Sequence, residues 1–236
     1  MNIALIIAGG SGQRMNQDVP KQFLNVNDIP VIIYTLEAFQ KHVEIDDIAV
    51  VCIDGWEQIL KAYAKQFGIT KLKYIIKGGS CGQESIKNGV FELRKHYDGE
   101  DIVLTHDAIR PMVSQEIISD CIVKTQKYGN AIASIPCAEA MLITDNQKDA
   151  QKTFPRDDLK RTQTPQGFLL GKICELHQRA IEKGITNSVA SCTLAIELGE
   201  KVTLSLGSEK NIKLTTVEDL DIFKALLQAK KSDWIK

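Results

Sequence analysis

The chain has 236 residues, of which 44% are hydrophobic, so it is long enough to bury one sizeable core. Its 29 lysines and arginines nearly balance its 30 aspartates and glutamates, which excludes a strong overall field for nucleic acid or an anionic membrane. Any anion must therefore be bound by a local site. The six cysteines are scattered singly, without zinc-site spacing, and the apolar amino terminus lacks a basic leader and a cleavage site. We expect reduced thiols, a buried first strand and a cytoplasmic protein.

Short apolar runs rich in β-branched residues predict buried strands. They are Ile3–Ile7, Ile48–Ile53, Leu72–Ile76, Ile102–Thr105, Asn130–Ile135 and Lys201–Leu206. Segments with helical spacing lie between them: Pro30–His42, Gly55–Phe67, Gln83–Tyr97, Ser114–Tyr128, Leu170–Lys183 and Ser188–Leu198. A last helix is expected after Thr216, which can cap it. The alternation predicts one α/β domain over residues 1–236, with a Rossmann-like, mostly parallel sheet flanked by helices.

The stretch from Pro136 to Pro165 breaks this alternation. Apolar Met141–Thr144 meets Asp145-Asn146 and then a polar return segment. This pattern predicts a projecting β-arm with a turn at Asp145-Asn146, although a surface loop is the alternative. Because an arm outside the core is stabilised by pairing with another protomer, we expect a homodimer with a dimerisation arm at about 136–165.

A glycine-rich segment, residues 8–15 (A-G-G-S-G-Q-R-M), directly follows the first predicted strand, and Pro20-Lys21-Gln22 comes soon after it. The glycines allow successive backbone N–H groups to surround a phosphate chain. Arg14 and Lys21 add cations suited to a triphosphate under attack. The segment lacks the Gly-Lys-Ser/Thr of a P-loop, and Met15 stands where a Rossmann fingerprint needs its third glycine. The residues expected to bind the nucleotide here are Ala8, Gly9, Gly10 and Gly12.

These two motifs resemble the start of the CTP-dependent cytidylyltransferase family, which includes the methylerythritol-phosphate and ribitol-5-phosphate cytidylyltransferases. Four further segments extend the resemblance across nearly the whole chain: Gly78-Gly79 with Ser85, Thr105–Pro111, Thr164-Pro165-Gln166 and Asn211–Leu220. The resemblance implies a glycosyltransferase-A-like nucleotidyltransferase fold and transfer of CMP from CTP to a phosphorylated alcohol. No serine or cysteine nucleophile with a paired base is evident in the sequence. We therefore expect direct attack by the acceptor's phosphate oxygen on the α-phosphorus of CTP.

The resemblance also implies roles for single residues at the nucleotide. Gly78, Gly79 and Ser85 would lie against the base and ribose of CTP. Asp107, at the carboxyl edge of a strand, would hold Mg²⁺ on the triphosphate, with helix capping or an internal salt bridge as the alternative. Lys213 would join Arg14 and Lys21 as a catalytic cation.

The acceptor would be bound by Arg110, Thr164 and Arg156, the last reaching the acceptor's phosphate across a subunit boundary. Arg161 is a nearby second candidate for this phosphate. His106 is expected to be a structural partner rather than a catalyst.

This chain departs from the family pattern at several positions. Gly82 stands where an arginine is usual, and Lys210, preceded by Glu209, stands where a second metal-binding aspartate is common. Either Glu209 replaces that aspartate or Asp107 binds the ion with fewer protein ligands. Ala140 stands where the methylerythritol enzymes carry a threonine, and residues 187–191 (N-S-V-A-S) stand where they carry T-D-E-A-S. With the missing tryptophan before T-P-Q, these differences favour ribitol 5-phosphate over methylerythritol 4-phosphate as the acceptor.

Two readings of other kinds remain open at this point. The missing arginine and aspartate are compatible with a degenerate member that binds a nucleotide without turning it over. A sugar-1-phosphate nucleotidyltransferase using UTP or GTP shares the glycine segment but not the T-P-Q and N-I-K signatures. The favoured interpretation requires CTP, a phosphorylated alcohol and Mg²⁺, and it involves neither nucleic acid nor membrane.

Overall fold

A computed structural model describes residues 1–10 and 19–231. Its strands are β1 (Asn2–Ala8), β2 (Asn25–Val26), β3 (Ile29–Pro30), β4 (Asp47–Cys52), β5 (Leu72–Lys77), β6 (Ile102–Asp107), β7 (Asn130–Pro136), β8 (Met141–Ile143), β9 (Lys152–Phe154), β10 (Lys160–Leu169) and β11 (Leu204–Leu206). Its α-helices are α1 (Val31–Lys41), α2 (Glu57–Gln66), α3 (Gly82–Leu93), α4 (Gln115–Tyr128), α5 (Leu170–Glu182), α6 (Ser191–Glu197) and α7 (Val217–Lys231). Two short 3-10 helices cover Lys21–Phe23 and Arg156–Asp158.

The main sheet has seven strands in the order β11-β7-β10-β6-β1-β4-β5. β1 pairs in parallel with β4 and β6, β4 with β5, and β7 with β11, whereas β10 runs antiparallel between β6 and β7. The expected α/β architecture, a mostly parallel sheet flanked by helices, is confirmed. The carboxyl ends of β1, β4 and β6 consequently meet at one edge, where sheets of this kind bind ligands.

Both faces of the sheet are covered by apolar side chains. Along β1, Ala4 and Ile6 pack into one core, and Ile3 and Leu5 into the other. The first core includes buried residues of α1, α2 and α4, and the second includes buried residues of α3, α5 and α6. This two-sided burial explains why β1 is apolar at nearly every position rather than at alternate ones.

The predicted elements agree with the structure except at a few places. β11 begins at Leu204 rather than Lys201, and α6 begins at Ser191 rather than Ser188. The backbone N–H of Asp219 donates to the Thr216 hydroxyl at 3.3 Å, so Thr216 caps the last helix as predicted.

The largest difference is β10, which the apolar pattern did not predict. Lys160 and Arg161 pair with Pro136 and Ile135 of β7, which places them in the main sheet. The predicted boundary of the arm at about 165 is therefore wrong, since β10 already begins at Lys160. The prediction failed because the first half of β10 is polar, and only its pairing with β7 shows that it is a strand. The arm itself is the β8–β9 hairpin, in which Met141 pairs with Phe154.

The hairpin loop lies where the turn was predicted. The Asn146 side-chain oxygen accepts hydrogen bonds from the backbone N–H groups of Lys148 and Asp149, at 2.8 and 3.1 Å. The apolar side chains of the hairpin are exposed: Met141, Leu142, Ile143 and Phe154. All six cysteines are free. No helix in the described ranges has both the length and the apolar character needed to cross a membrane.

The buried imidazole of His177, on α5, predicts a loss of stability in mild acid. The side chain is 2% exposed, and burial, with the nearby Lys87, lowers its pKa from 6.5 to about 4. As the pH falls from about 7 to about 5, the unfolded chain gains a proton at this residue that the native state does not bind, so stability falls. The measurement is the free energy of unfolding from urea titrations at these two pH values. Between pH 7 and pH 5, we expect this free energy to fall by about 2 kcal/mol less in His177→Leu than in the unsubstituted protein. An equal loss in both proteins would contradict this assignment.

Candidate active site

Two adjoining cavities lie at the edge where β1 and β6 end. The larger, called the loop cavity, has a volume of about 560 Å³, and its lining includes Ala8, Gly9, Gly10, Lys21, Gly79 and Ser85. The smaller, called the side cavity, has a volume of about 230 Å³, and its lining includes Arg110, Thr162, Gln163, Thr164, Gln166 and Ser191. Both cavities are lined by Ile7, Gly82, Asp107 and Lys213. Most predicted site residues are thus brought together by the fold.

Close backbone contacts explain the glycines on one wall of the loop cavity. A Cβ atom on Gly9 would lie 2.8 Å from the Ser85 hydroxyl oxygen, and one on Gly78 would lie 3.2 Å from the Gly9 Cα atom. A Cβ atom on Gly79 would lie 2.3 Å from the Glu84 Cγ atom. The Ser85 hydroxyl accepts a hydrogen bond from the Gly79 N–H at 3.0 Å. Glycine is therefore required for the glycine segment and the segment before α3 to approach each other.

Gln22 holds the start of the glycine segment, a role that was not predicted from the sequence. Its buried side-chain amide donates hydrogen bonds to the carbonyl oxygens of Ala8 and Gly10, at 2.8 and 3.0 Å. The adjacent Lys21 lines the loop cavity. The P-K-Q motif could have indicated this role, because the side-chain amide of a glutamine beside the predicted phosphate-binding lysine can donate hydrogen bonds to the backbone carbonyl groups of a tight loop. Two predicted site residues, Gly12 and Arg14, lie outside the described residues.

Asp107 lies between two cations at the boundary of the cavities. Its carboxylate oxygens lie 3.0 Å from Arg110 Nε and 3.1 Å from Lys213 Nζ. Burial would raise the pKa of the Asp107 carboxyl, but Lys213 and Arg110 outweigh this effect and hold the pKa below its usual value. Asp107 is therefore ionised at neutral pH. An internal salt bridge with Arg110 was the alternative role predicted for Asp107, and this salt bridge is present. Asp107 also lines both cavities.

Asp107, Arg110 and Lys213 form an ion cluster. Behind it, hydrogen bonds join three of the motifs that resemble the cytidylyltransferase family. Arg110 Nη1 donates to the Asn211 carbonyl at 2.7 Å, and Asn211 Nδ2 donates to the Thr164 carbonyl at 2.8 Å. The Asp107 N–H donates to the Thr164 hydroxyl at 3.0 Å, and Gln163 Nε2 donates to the Ser208 carbonyl at 2.9 Å. Asn211 and Gln163 are buried, and neither was predicted as a site residue. They position the ends of segments that are more than 40 residues apart in the chain.

His106 is buried beneath the ion cluster. Its Nε2 atom lies 3.2 Å from the Arg110 carbonyl oxygen, and its ring packs edge-on against Phe39. Burial lowers the pKa of His106 to about 4, so the ring is neutral at physiological pH. These contacts are structural ones, although His106 also belongs to the lining of the side cavity, and its role as a structural partner stays a prediction.

The arginines of the arm region do not line either cavity of this chain. Arg156 is 60% exposed, and its Nη1 donates to the Ala138 carbonyl at 3.2 Å. Arg161 forms ion pairs with Glu139, at 3.3 Å, and with Glu209. Glu209 is therefore paired with an arginine and lies outside the lining of both cavities. It does not take the position of a second metal ligand beside Asp107.

The donor set at this edge suits a cation held mainly by phosphates. Residues 1–10 and 19–231 contain no group of three or more His, Cys, Asp or Glu side chains that could hold a metal ion. Mg²⁺ is commonly bound by one or two carboxylates together with substrate phosphates, so a single Asp107 fits this ion. Lys213 and Arg110 already contact both carboxylate oxygens, so Lys213 would have to exchange partners when a triphosphate binds.

Comparison with known proteins identifies the family of this chain. Residues 2–229 match the family model of 2-C-methyl-D-erythritol 4-phosphate cytidylyltransferase (IspD), and the chain belongs to this family. It is 43% identical over 233 residues to a ribitol-5-phosphate cytidylyltransferase of Lacticaseibacillus paracasei, covering 98% of this chain and 100% of that protein. It is 40% identical to one from Vibrio parahaemolyticus, covering 98% of each.

A solved structure shows the same fold. The crystal structure of 4-diphosphocytidyl-2C-methyl-D-erythritol synthase from Anaerococcus prevotii has a TM-score of 0.81 and 27% identity, over 96% of each chain. The predicted family, fold and cytidylyltransferase class are confirmed.

The hydrogen bonds of Gln22 predict a selective effect on the nucleotide. Gln22→Met keeps the length of the side chain but removes its hydrogen bonds to the carbonyl oxygens of Ala8 and Gly10. Of these bonds to the Ala8 oxygen, only the one from the Ile53 N–H then remains. We expect the KM for CTP to rise about tenfold, with the KM for the acceptor unchanged. Steady-state kinetics with each substrate varied would show this, with Gln178→Met on the exposed face of α5 as the control. Equal increases in both KM values would contradict a role confined to the loop cavity.

Proposed function

We propose that the protein transfers CMP from CTP to ribitol 5-phosphate, giving CDP-ribitol and pyrophosphate. The observation that carries the proposal is the pair of cavities that share Asp107 and Lys213. One cavity is lined by backbone and lysine, which suits a triphosphate, and the other by hydroxyl and amide side chains, which suits a phosphorylated polyol. The two relatives at 43% and 40% identity are both named for ribitol 5-phosphate.

In this proposal, the acceptor's phosphate oxygen attacks the α-phosphorus of CTP and the bond to pyrophosphate breaks. The attacking oxygen is already anionic, so no general base is needed. The N–H groups of Gly9 and Gly10, together with Lys21, Arg14 and Lys213, neutralise charge on the α-phosphate and the departing pyrophosphate. Mg²⁺, when bound through Asp107, supplies further charge neutralisation on the phosphates.

The nucleotide's base and ribose are proposed to lie against Gly78, Gly79 and Ser85. Gly82 contributes no side chain at the boundary of the two cavities, and a Cβ atom there would meet nothing within 4 Å. The acceptor is proposed to contact Arg110 and Thr164 in the side cavity.

Methylerythritol 4-phosphate is the second candidate acceptor. The family model carries its name, and the solved structure reported above is named as a 4-diphosphocytidyl-2C-methyl-D-erythritol synthase. Two ribitol-named relatives are 43% and 40% identical to this chain, whereas a 2-C-methyl-D-erythritol 4-phosphate cytidylyltransferase of Clostridium botulinum is 34% identical, and this difference favours ribitol 5-phosphate. A non-catalytic role is disfavoured because Lys21, Asp107 and Lys213 all line one cavity.

We also propose a homodimer in which the arm of one protomer reaches the site of the other, in the cytoplasm, where free thiols stay reduced. The exposed apolar side chains of β8 and β9 support pairing of the arm with another protomer. Arg156 lines neither cavity of its own chain, so its proposed role at the acceptor's phosphate requires a partner.

Pyrophosphate release tests the proposed reaction directly. The protein is incubated with CTP and Mg²⁺, and ribitol 5-phosphate and methylerythritol 4-phosphate are offered separately. We expect release with ribitol 5-phosphate, and Lys21→Ala should lower turnover more than acceptor binding because Lys21 lines the loop cavity. Release with methylerythritol 4-phosphate alone would select the second candidate, and release with neither would count against both.

Mixing two inactive variants tests the cross-subunit role of Arg156. Arg156→Ala and Lys21→Ala would each impair every site of their own homodimers. In a heterodimer, one site would combine an intact Lys21 with an intact Arg156 from the other chain. We expect activity to return to about one quarter of the unsubstituted value after statistical subunit exchange. If Arg156 acted within its own chain, mixing would restore nothing.

A further inference from the structure

The side cavity has a polar region that phosphate chemistry does not use. Asp107 and Lys213 line the part shared with the loop cavity, whereas Thr162 and Ser191 line the side cavity alone. Thr162 lies on β10, and Ser191 is the first residue of α6. A charged region is thus continuous with a region of neutral hydroxyl groups, a combination that matches a molecule with a phosphate and several hydroxyls.

Ser191 is the unusual member of this hydroxyl group. Its residue exposure is 4%, and its hydroxyl has no hydrogen-bond partner in the part of the chain that the structure describes. Polar groups close to it in the chain are paired: the Ser188 and Thr193 hydroxyls lie 2.9 Å apart, and the Cys192 N–H donates to Gln166 Oε1 at 3.0 Å. A buried hydroxyl without a partner is destabilising, so its presence at a cavity wall calls for a ligand that supplies the partner.

We propose that Ser191 is a specificity-determining residue that hydrogen-bonds a hydroxyl group of the acceptor's polyol chain. This inference rests on the proposed transfer to ribitol 5-phosphate and names the group that reads the acceptor. A serine hydroxyl moves among three staggered positions by rotation about one bond, so Ser191 can turn its hydroxyl toward a ligand without moving α6. It can donate one hydrogen bond and accept others, as a polyol hydroxyl can.

The role proposed for Ser191 differs from phosphate binding because its side chain carries no charge. Ser191 is neutral, so it contributes nothing to charge neutralisation at the α-phosphate. A site built to pair with a substrate hydroxyl discriminates against an analogue that lacks it, because the protein group is then left unpaired. Ser191 therefore affects the choice between long and short polyol phosphates, and leaves the affinity for CTP unchanged.

The test compares ribitol 5-phosphate with glycerol 3-phosphate, a shorter polyol phosphate with fewer hydroxyls, in the full-length enzyme with CTP and Mg²⁺. We expect Ser191→Ala to raise the KM for ribitol 5-phosphate about tenfold and to lower the preference for ribitol 5-phosphate over glycerol 3-phosphate, as a kcat/KM ratio, by a similar factor. The KM for CTP should not change. Ser205→Ala is the matched control, because Ser205 is likewise buried but lies on β11 outside both cavities.

Three outcomes would overturn the inference. Equal behaviour of Ser191→Ala and Ser205→Ala, or a fall in kcat on both acceptors with the preference unchanged, would remove Ser191 from acceptor recognition while the proposed function stands. Turnover of methylerythritol 4-phosphate and not of ribitol 5-phosphate by the unsubstituted enzyme would overturn the proposed function and this inference together. Should Ser191→Ala not fold, Ser191→Cys repeats the test with a similar volume and a weaker hydrogen-bonding group.

Discussion

The site depends on one electrostatic arrangement, the Asp107 carboxylate held between Arg110 and Lys213. A carboxylate that is largely removed from water is stable only when opposite charge and hydrogen bonds compensate for its lost hydration. Here Arg110 is fixed on one side by the Asn211 carbonyl, while Lys213 is more exposed. Arg110 is therefore the more tightly held partner of Asp107, and Lys213 is the cation that we propose turns toward a bound phosphate.

This arrangement exists because β10 enters the sheet antiparallel beside β6. Its pairing with β6 carries Thr164 to the Asp107 backbone, and Gln163 and Thr164 bind the loop that holds Asn211 and Lys213. A purely parallel strand would have brought its opposite end to this edge of the sheet. The polar part of β10 thus links the sheet to the residues around Asp107. It also buries the side-chain amides of Gln163 and Gln166, which need hydrogen-bond partners.

Much of the fold could be predicted because buried strands and amphipathic helices leave a periodic apolar pattern. β1 and β6 were predicted to within one or two residues, and residues 8–10, the described part of the glycine segment, lie at the end of β1 as predicted. The first half of β10 was not, since its polar residues carry no periodic signal and its pairing is a long-range event. Gln22 and Asn211 were missed for a related reason: they hydrogen-bond backbone atoms, and a sequence does not show which backbone groups need a donor.

The two ends of the site differ in how they are built, and this difference bears on specificity. The loop cavity, where we propose that the phosphates bind, is made of backbone contacts in which Gly9 and Gly79 have no room for a larger side chain, so it tolerates little change. At the side cavity, Val189 is almost fully exposed, and Gly82, at the boundary of the two cavities, has open space around it. Substitutions there alter the shape and hydrogen bonding of the side cavity without disturbing the ion cluster. A family can therefore keep one reaction at the α-phosphorus while the choice of phosphorylated alcohol varies, because Val189 lines the side cavity alone, whereas Asp107 and Lys213 line both cavities.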